Sequence, residues 1–170
     1  IDCLKGKGPV DTMELVYTQA EALGYDIRPF IEDGSALEEF KKMCSRQGVE
    51  PETVAKLVES PWEVLPRASQ VHTISATKSG WISGINALTI GEVLCNLGAG
   101  RTGDNSDIDH GIGAELLIPL GGKIEHGMPW IKFEVNGKLT SNQVQLIENS
   151  LEVTDEVFER KTRILQVIST

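Results

Sequence analysis

The chain is short of cysteine, short of basic residues and without any long apolar run. Cys3, Cys44 and Cys95 are odd in number, far apart and outside any C-x-x-C or Cys/His spacing, so neither a disulfide framework nor a zinc site is indicated. They read as reduced packing cysteines of a cytoplasmic protein. Sixteen Lys and Arg face 25 Asp and Glu, a net charge of −9 and a pI near 4.8. Such a field repels phosphate backbones and anionic lipid, which argues against nucleic acid and membrane surfaces as partners. No apolar run approaches the ~20 residues that span a bilayer, and no signal-peptide pattern opens the chain. What is present is ordinary globular composition: 40% hydrophobic, 24% charged and 17 glycines in 170 residues. A fold of this length buries ~70% of the surface its unfolded chain exposes. The chain opens at Ile1-Asp2-Cys3-Leu4 without Met, and we expect it to be the later part of something longer.

Two textures divide the sequence. From Asp11 to Leu65 it reads as helices, with Asp11-x-x-Glu14 and Ser35-x-x-Glu38 as capping boxes opening amphipathic runs. The first run carries Leu15, Val16, Ala20 and Leu23 and stops at Gly24; the second carries Leu37, Phe40, Met43 and Cys44 and stops at Gly48. A third, shorter run follows Pro51, with Val54, Ala55, Leu57 and Val58 as its apolar side. Pro61, Pro66 and the stretch from Leu65 to Gln70 break the pattern, and the boundary is placed between residues 66 and 67.

Beyond that break the period falls to two, with frequent glycines. Val71, Ile74 and Ala76, then Trp81, Ile82 and Ile85, predict a hairpin turning at Lys78-Ser79-Gly80. Further strands are predicted over 115–119, 123–126 and 130–135, and an edge strand over Thr162 to Ile168. A helix over Thr89 to Leu97, with Thr89-x-x-Glu92 as its capping box and Gly98 as its stop, interrupts them; a last helix starts near Ser141 and carries Val144, Ile147 and Leu151. The fold class is therefore α+β: a helical segment followed by a glycine-rich β module. Its echo of Gly80–Ile85 in Gly122–Ile131 resembles the barrel-sandwich hybrid of biotinyl and lipoyl carriers. A carrier needs a modifiable lysine flanked by Met residues, and Lys78 lacks those neighbours.

Chemistry is sparse. Gly98-Ala99-Gly100-Arg101 could bring backbone amides and a guanidinium to an anion, but it ends a helix, where the dipole is negative, rather than opening one. The polar loop that follows, through Asp107 and Asp109, has the one-three-five oxygen spacing of a calcium loop in Asn105, Asp107 and Asp109. Its glycine comes one residue late and Leu116 stands at the twelfth position, so no metal is assigned. His72, His110 and His126 are scattered and no nucleophile elbow exists, so no self-contained active site is predicted. Gly98, Gly100, Arg101, Asp107 and Asp109 remain as the candidate site, a loop able to act as a lid.

An ordered set of segments carries a resemblance: Leu4-Lys-Gly-Lys-Gly-Pro9, Asp33-Gly-Ser-Ala-Leu-x-x-Phe40, Gln47-Gly-Val, Leu65-Pro-Arg-Ala68, Gly98-Ala-Gly-Arg101, Ile108-Asp109, Gly111-Ile-Gly-Ala-Glu-Leu-Leu117 and Gly127-Met-Pro-Trp130. Together, from Ile1 to about Val135, they resemble the C-terminal part of the thymidine phosphorylase and pyrimidine nucleoside phosphorylase family, and two segments look nearer to its animal members. The resemblance implies phosphorolysis of a pyrimidine nucleoside, with phosphate as co-substrate, no other cofactor, and a homodimer in the full-length enzyme. It implies that residues 1–66 are the helical part of a large α/β domain and 67–170 the C-terminal β-rich domain. The family's phosphate and pyrimidine motifs precede the point where this sequence begins, so the chain by itself is expected to be inactive and to complete the large lobe. By comparison with the family, the resemblance implies that about a helix's worth of sequence is missing between Gly24 and Asp33, through either a shortened helical pair or an omitted segment. The alternative is a non-catalytic binding or scaffold module with the biotinyl/lipoyl-like fold.

Overall fold

The computed structural model describes residues 1–101 and 107–166, and it divides into two units. The first is Ile1–Val64 with Lys161–Thr170, of which 161–166 are described; the second is Leu65–Arg160. The first unit is helical: α1 (Val10–Ala22), α2 (Arg28–Glu32), α3 (Ser35–Arg46), α4 (Pro51–Glu59) and α5 (Pro61–Val64). Gly24 and Gly48 stop α1 and α3 in the left-handed region, at φ 84° and 89°, where a side chain would be strained. Neither predicted capping box forms at the start of these helices. Pro9 precedes α1, and Asp11 lies inside its first turn with its carboxylate 2.5 Å from Arg163. Gly34 precedes α3, and the Ser35 amide donates to Asp33 at 2.8 Å, so a carboxylate two residues upstream does the capping work. The apolar stripe of α1 is also displaced: Met13 is buried while Val16 and Leu23 are exposed. Cys44, Val54 and Val58 complete the buried set among the described residues of this unit, and Lys5 Nζ donates to the Val58 carbonyl at 2.6 Å.

The second unit is the α+β part. It contains β1 (Gln70–Ser75), β2 (Gly80–Ile85), α6 (Ala87–Leu94), β3 (Gly113–Leu116), β4 (Lys123–Ile124), β5 (Pro129–Val135), α7 (Ser141–Asn149) and β6 (Leu151–Thr154). The strands form two open antiparallel three-stranded sheets, ordered β1-β5-β3 and β4-β2-β6. The predicted hairpin between β1 and β2 does not form. Strand β1 pairs with β5 from Gln70↔Val135 to Ile74↔Ile131, and Ala76 extends the pairing by exchanging backbone bonds with Gly127 and Met128. The turn at Lys78-Ser79 instead carries the chain into the other sheet, where β2 meets β4 and β6.

The core of this unit gathers Ile74, Ile82, Ile90, Val93, Ile124, Trp130, Ile131, Phe133, Val135 and Ile147. Central strand β5 supplies Trp130, Ile131, Phe133 and Val135, and its alternate positions Lys132 and Glu134 are only partly covered, the period-two pattern of a half-buried strand. The Trp130 indole N–H is buried and finds no acceptor among the described residues. Helix α7 packs on α6, β1 and β6, and Ile147 is its buried residue. It carries a complete capping box: Thr140 Oγ1 accepts from the Gln143 amide at 3.2 Å and Gln143 Oε1 accepts from the Thr140 amide at 2.8 Å. The helix ends at Asn149, so Leu151 opens β6 instead of closing the helix as predicted. Of the predicted edge strand from Thr162 to Ile168, residues 162–166 form none and 167–168 lie outside the described residues.

Candidate functional site

Helix α6 is set by Asn86, whose Oδ1 accepts from the Thr89 amide at 3.1 Å, so the cap lies three residues before the predicted Thr89. The helix then widens into a π-turn over Cys95–Ala99 in which Gly98 has φ 112°. That positive φ requires glycine, and the turn directs the backbone out of the helix axis. Gly100 is extended, yet a Cβ there would stand 2.6 Å from Cys95 Sγ. The Cys95 thiol in turn lies 3.8 Å from the Arg101 carbonyl it donates to. Three of the predicted residues, Gly98, Gly100 and Arg101, thus wrap the end of α6, with Arg101 exposed.

Residues 102–106 of the predicted lid, and with them Asn105, lie outside the described residues; the chain is described again from Asp107, which is exposed. The return is anchored by Asp109. Its amide donates to the Gly98 carbonyl at 2.9 Å and closes the neck of the loop. Its Oδ1 accepts from the Gly111 amide at 3.0 Å and its Oδ2 accepts from Asn136 Nδ2 at 2.6 Å. Both carboxylate oxygens are therefore engaged by donors of the protein, an arrangement that holds the neck of the loop. Gly111 fits because a Cβ there would lie 2.9 Å from the backbone of Arg67 and Ala68; its carbonyl accepts from the Ala68 amide at 3.1 Å.

Charge surrounds this foot. Arg67 makes a two-pronged pair with Glu134, at 2.6 and 3.2 Å, and Lys132 bridges Glu115 at 2.5 Å and Glu134 at 3.6 Å. The hydrogen bond from Arg67 holds the Glu134 carboxyl below the ordinary carboxylate range, and the bond to Glu115 raises the Lys132 ammonium. Asn136, Ser69 and the Arg67–Glu134 pair are absent from the predicted set. Asn136-Gly137 does carry a turn signal after an apolar strand, but its partner Asp109 is 27 positions away. The histidines stay apart: His72 Nε2 lies 2.9 Å from the Gly137 carbonyl, the His126 amide donates to Ser79, and His110 is exposed. Among the described residues no three His, Cys, Asp or Glu side chains converge as metal ligands, and no helix is long and apolar enough to cross a membrane.

Residues 81–153, from Trp81 in β2 to Val153 in its partner β6, match the family model described as the pyrimidine nucleoside phosphorylase C-terminal domain. The chain is 32% identical to thymidine phosphorylase of Homo sapiens over 90% of its length, and 34% identical to pyrimidine-nucleoside phosphorylase of Staphylococcus aureus over 92%. It spans only 36% and 38% of the length of those relatives. By these matches residues 81–153 resemble the pyrimidine nucleoside phosphorylase C-terminal domain, and the chain is similar to enzymes of that family over little more than a third of their length.

Proposed function

We propose that this chain is the C-terminal section of a thymidine phosphorylase-like pentosyltransferase. The reaction joins a pyrimidine nucleoside and phosphate: a phosphate oxygen bonds to C1′, the C1′–N bond breaks with its electrons going to the base, and the base takes a proton on leaving. Catalysis then needs cations and hydroxyls on the phosphate and donors on the departing base. In this reading residues 67–170 complete the large lobe, residues 1–66 are its helical part, and preceding sequence brings the phosphate and base sites. The whole enzyme works in pyrimidine nucleoside salvage, as a cytoplasmic homodimer.

The observation that carries this reading is the 32% identity to an enzyme named thymidine phosphorylase across 90% of the chain, with the family motifs in order. The local geometry supports a role for the loop after α6. Arg101 is the exposed cation at its base, and the closed neck gives it a defined foot. We assign this loop to covering the cleft in the closed enzyme, with Gly98, Gly100 and Asp109 shaping it and Arg101 and Asp107 facing solvent. Steady-state kinetics of the complete enzyme test this: Arg101→Ala should lower kcat or raise the nucleoside KM by roughly tenfold, the scale of one lost charge-assisted contact. Unchanged kinetics would remove the lid assignment.

A further inference from the structure

Beyond the loop itself, a relay of three hydrogen bonds runs from its neck to the segment by which the chain enters the second unit. The Gly111 amide donates to Asp109 Oδ1 at 3.0 Å, Asn136 Nδ2 donates to Asp109 Oδ2 at 2.6 Å, and the Ser69 amide donates to Asn136 Oδ1 at 2.8 Å. Two backbone bonds flank it: Asp109 to the Gly98 carbonyl at 2.9 Å, and Ala68 to the Gly111 carbonyl at 3.1 Å. Asn136 stands at the centre, just past the end of β5, and its orientation follows from chemistry. A backbone amide can only donate and an ionised carboxylate can only accept, so the oxygen must face Ser69 and the nitrogen must face Asp109.

We propose that Asp109 and Asn136 are positioning residues that latch the neck of the loop to segment 67–69 and to the end of the central strand. The position of the neck at Asp109–Gly111 is thereby set by three stretches of chain, around residues 69, 109 and 136, rather than by local turn geometry. The rigid donor is β5, whose Trp130, Ile131 and Phe133 are fully buried, so the latch carries the order of the core out to the neck at Asp109–Gly111. Any effect on turnover rests on the reading that the loop covers the cleft; the latch itself does not.

A donor–acceptor swap tests it. Asn136→Asp sets two carboxylates against each other, and Asp109→Asn sets two amide NH2 groups against each other. The double variant Asp109→Asn/Asn136→Asp restores every bond with the roles exchanged: Asn at 109 accepts from Gly111 and donates to Asp at 136, which still accepts from Ser69. Hydrogen exchange at the amides of 69, 109 and 111 should speed up at least tenfold in each single variant and return to the parent rate in the double. Unchanged protection of Ile131 and Phe133 amides shows that the fold is intact in each case. Protection at 69, 109 and 111 that survives both single changes, or that the swap fails to restore, overturns the latch. If exchange follows the expected pattern while kcat of the complete enzyme ignores all three variants, the latch stands and the cleft-covering reading falls.

Discussion

At the scale of single residues, close approach and charge define the foot of the loop. Gly111 has no room for a side chain because the backbone of Arg67 and Ala68 lies 2.9 Å from where its Cβ would be. Gly111→Ala should therefore destabilise the second unit by about 1–3 kcal/mol, the usual cost of forcing an added carbon into a packed site, as measured by denaturant unfolding. A loss under the error of that method would show that segment 67–68 gives way. Glu134 allows a check by pH. Its hydrogen bond from Arg67 depresses its folded pKa, so the stabilisation is present above the ordinary carboxylate value of about 4.3 and disappears as pH falls through the lower folded value. Stability followed from neutral pH downward should fall more gently below pH 4 in Glu134→Gln than in the parent. Equal slopes would mean that the pair adds nothing.

Among the elements, the caps separate what local sequence determines from what it does not. Thr140-x-x-Gln143 makes its box, whereas Ser35-x-x-Glu38 and Thr89-x-x-Glu92 do not, because Gly34 and Asn86 take the boundary positions. Thr140→Ala and Asn86→Ala should each cost about 1 kcal/mol of stability, while Ser35→Ala and Thr89→Ala should leave it within about 0.5 kcal/mol. Circular dichroism on thermal unfolding of the four variants decides it; equal losses in all four would contradict the observed caps. Helices α1, α3, α4, α6 and α7 were legible because their signals are local: glycine stops at 24, 48 and 98, proline at 51, and a 3.6-residue apolar period; the short α2 and α5, where the sequence read as a bridge and a break, were not. Strand β5 was legible as a strand for the same reason. Its partners were not, since β1 and β5 meet across 54 to 65 residues and nothing in a two-residue period names the other side of a ladder. The same limit hid the site. Gly98, Arg101 and Asp109 stand out as glycine, cation and acid in one loop, while Asn136 and Ser69 acquire their role only when the sheet brings them to Asp109.

For the molecule as a whole, the division of burial sets the functional account. The second unit closes a dense core around β5, while the first buries Met13, Cys44, Val54 and Val58 and leaves Leu23, Phe30 and Trp62 exposed. Acidic residues outnumber basic ones across the whole sequence, for a net charge of −9. On the function proposed above, the reactive centre lies in sequence supplied from outside these 170 residues. The direct measurement is release of free base from a pyrimidine nucleoside and phosphate by the purified chain, alone and then mixed with the N-terminal two thirds of a family enzyme. Release only in the mixture is the predicted result; release by the chain alone would contradict the account.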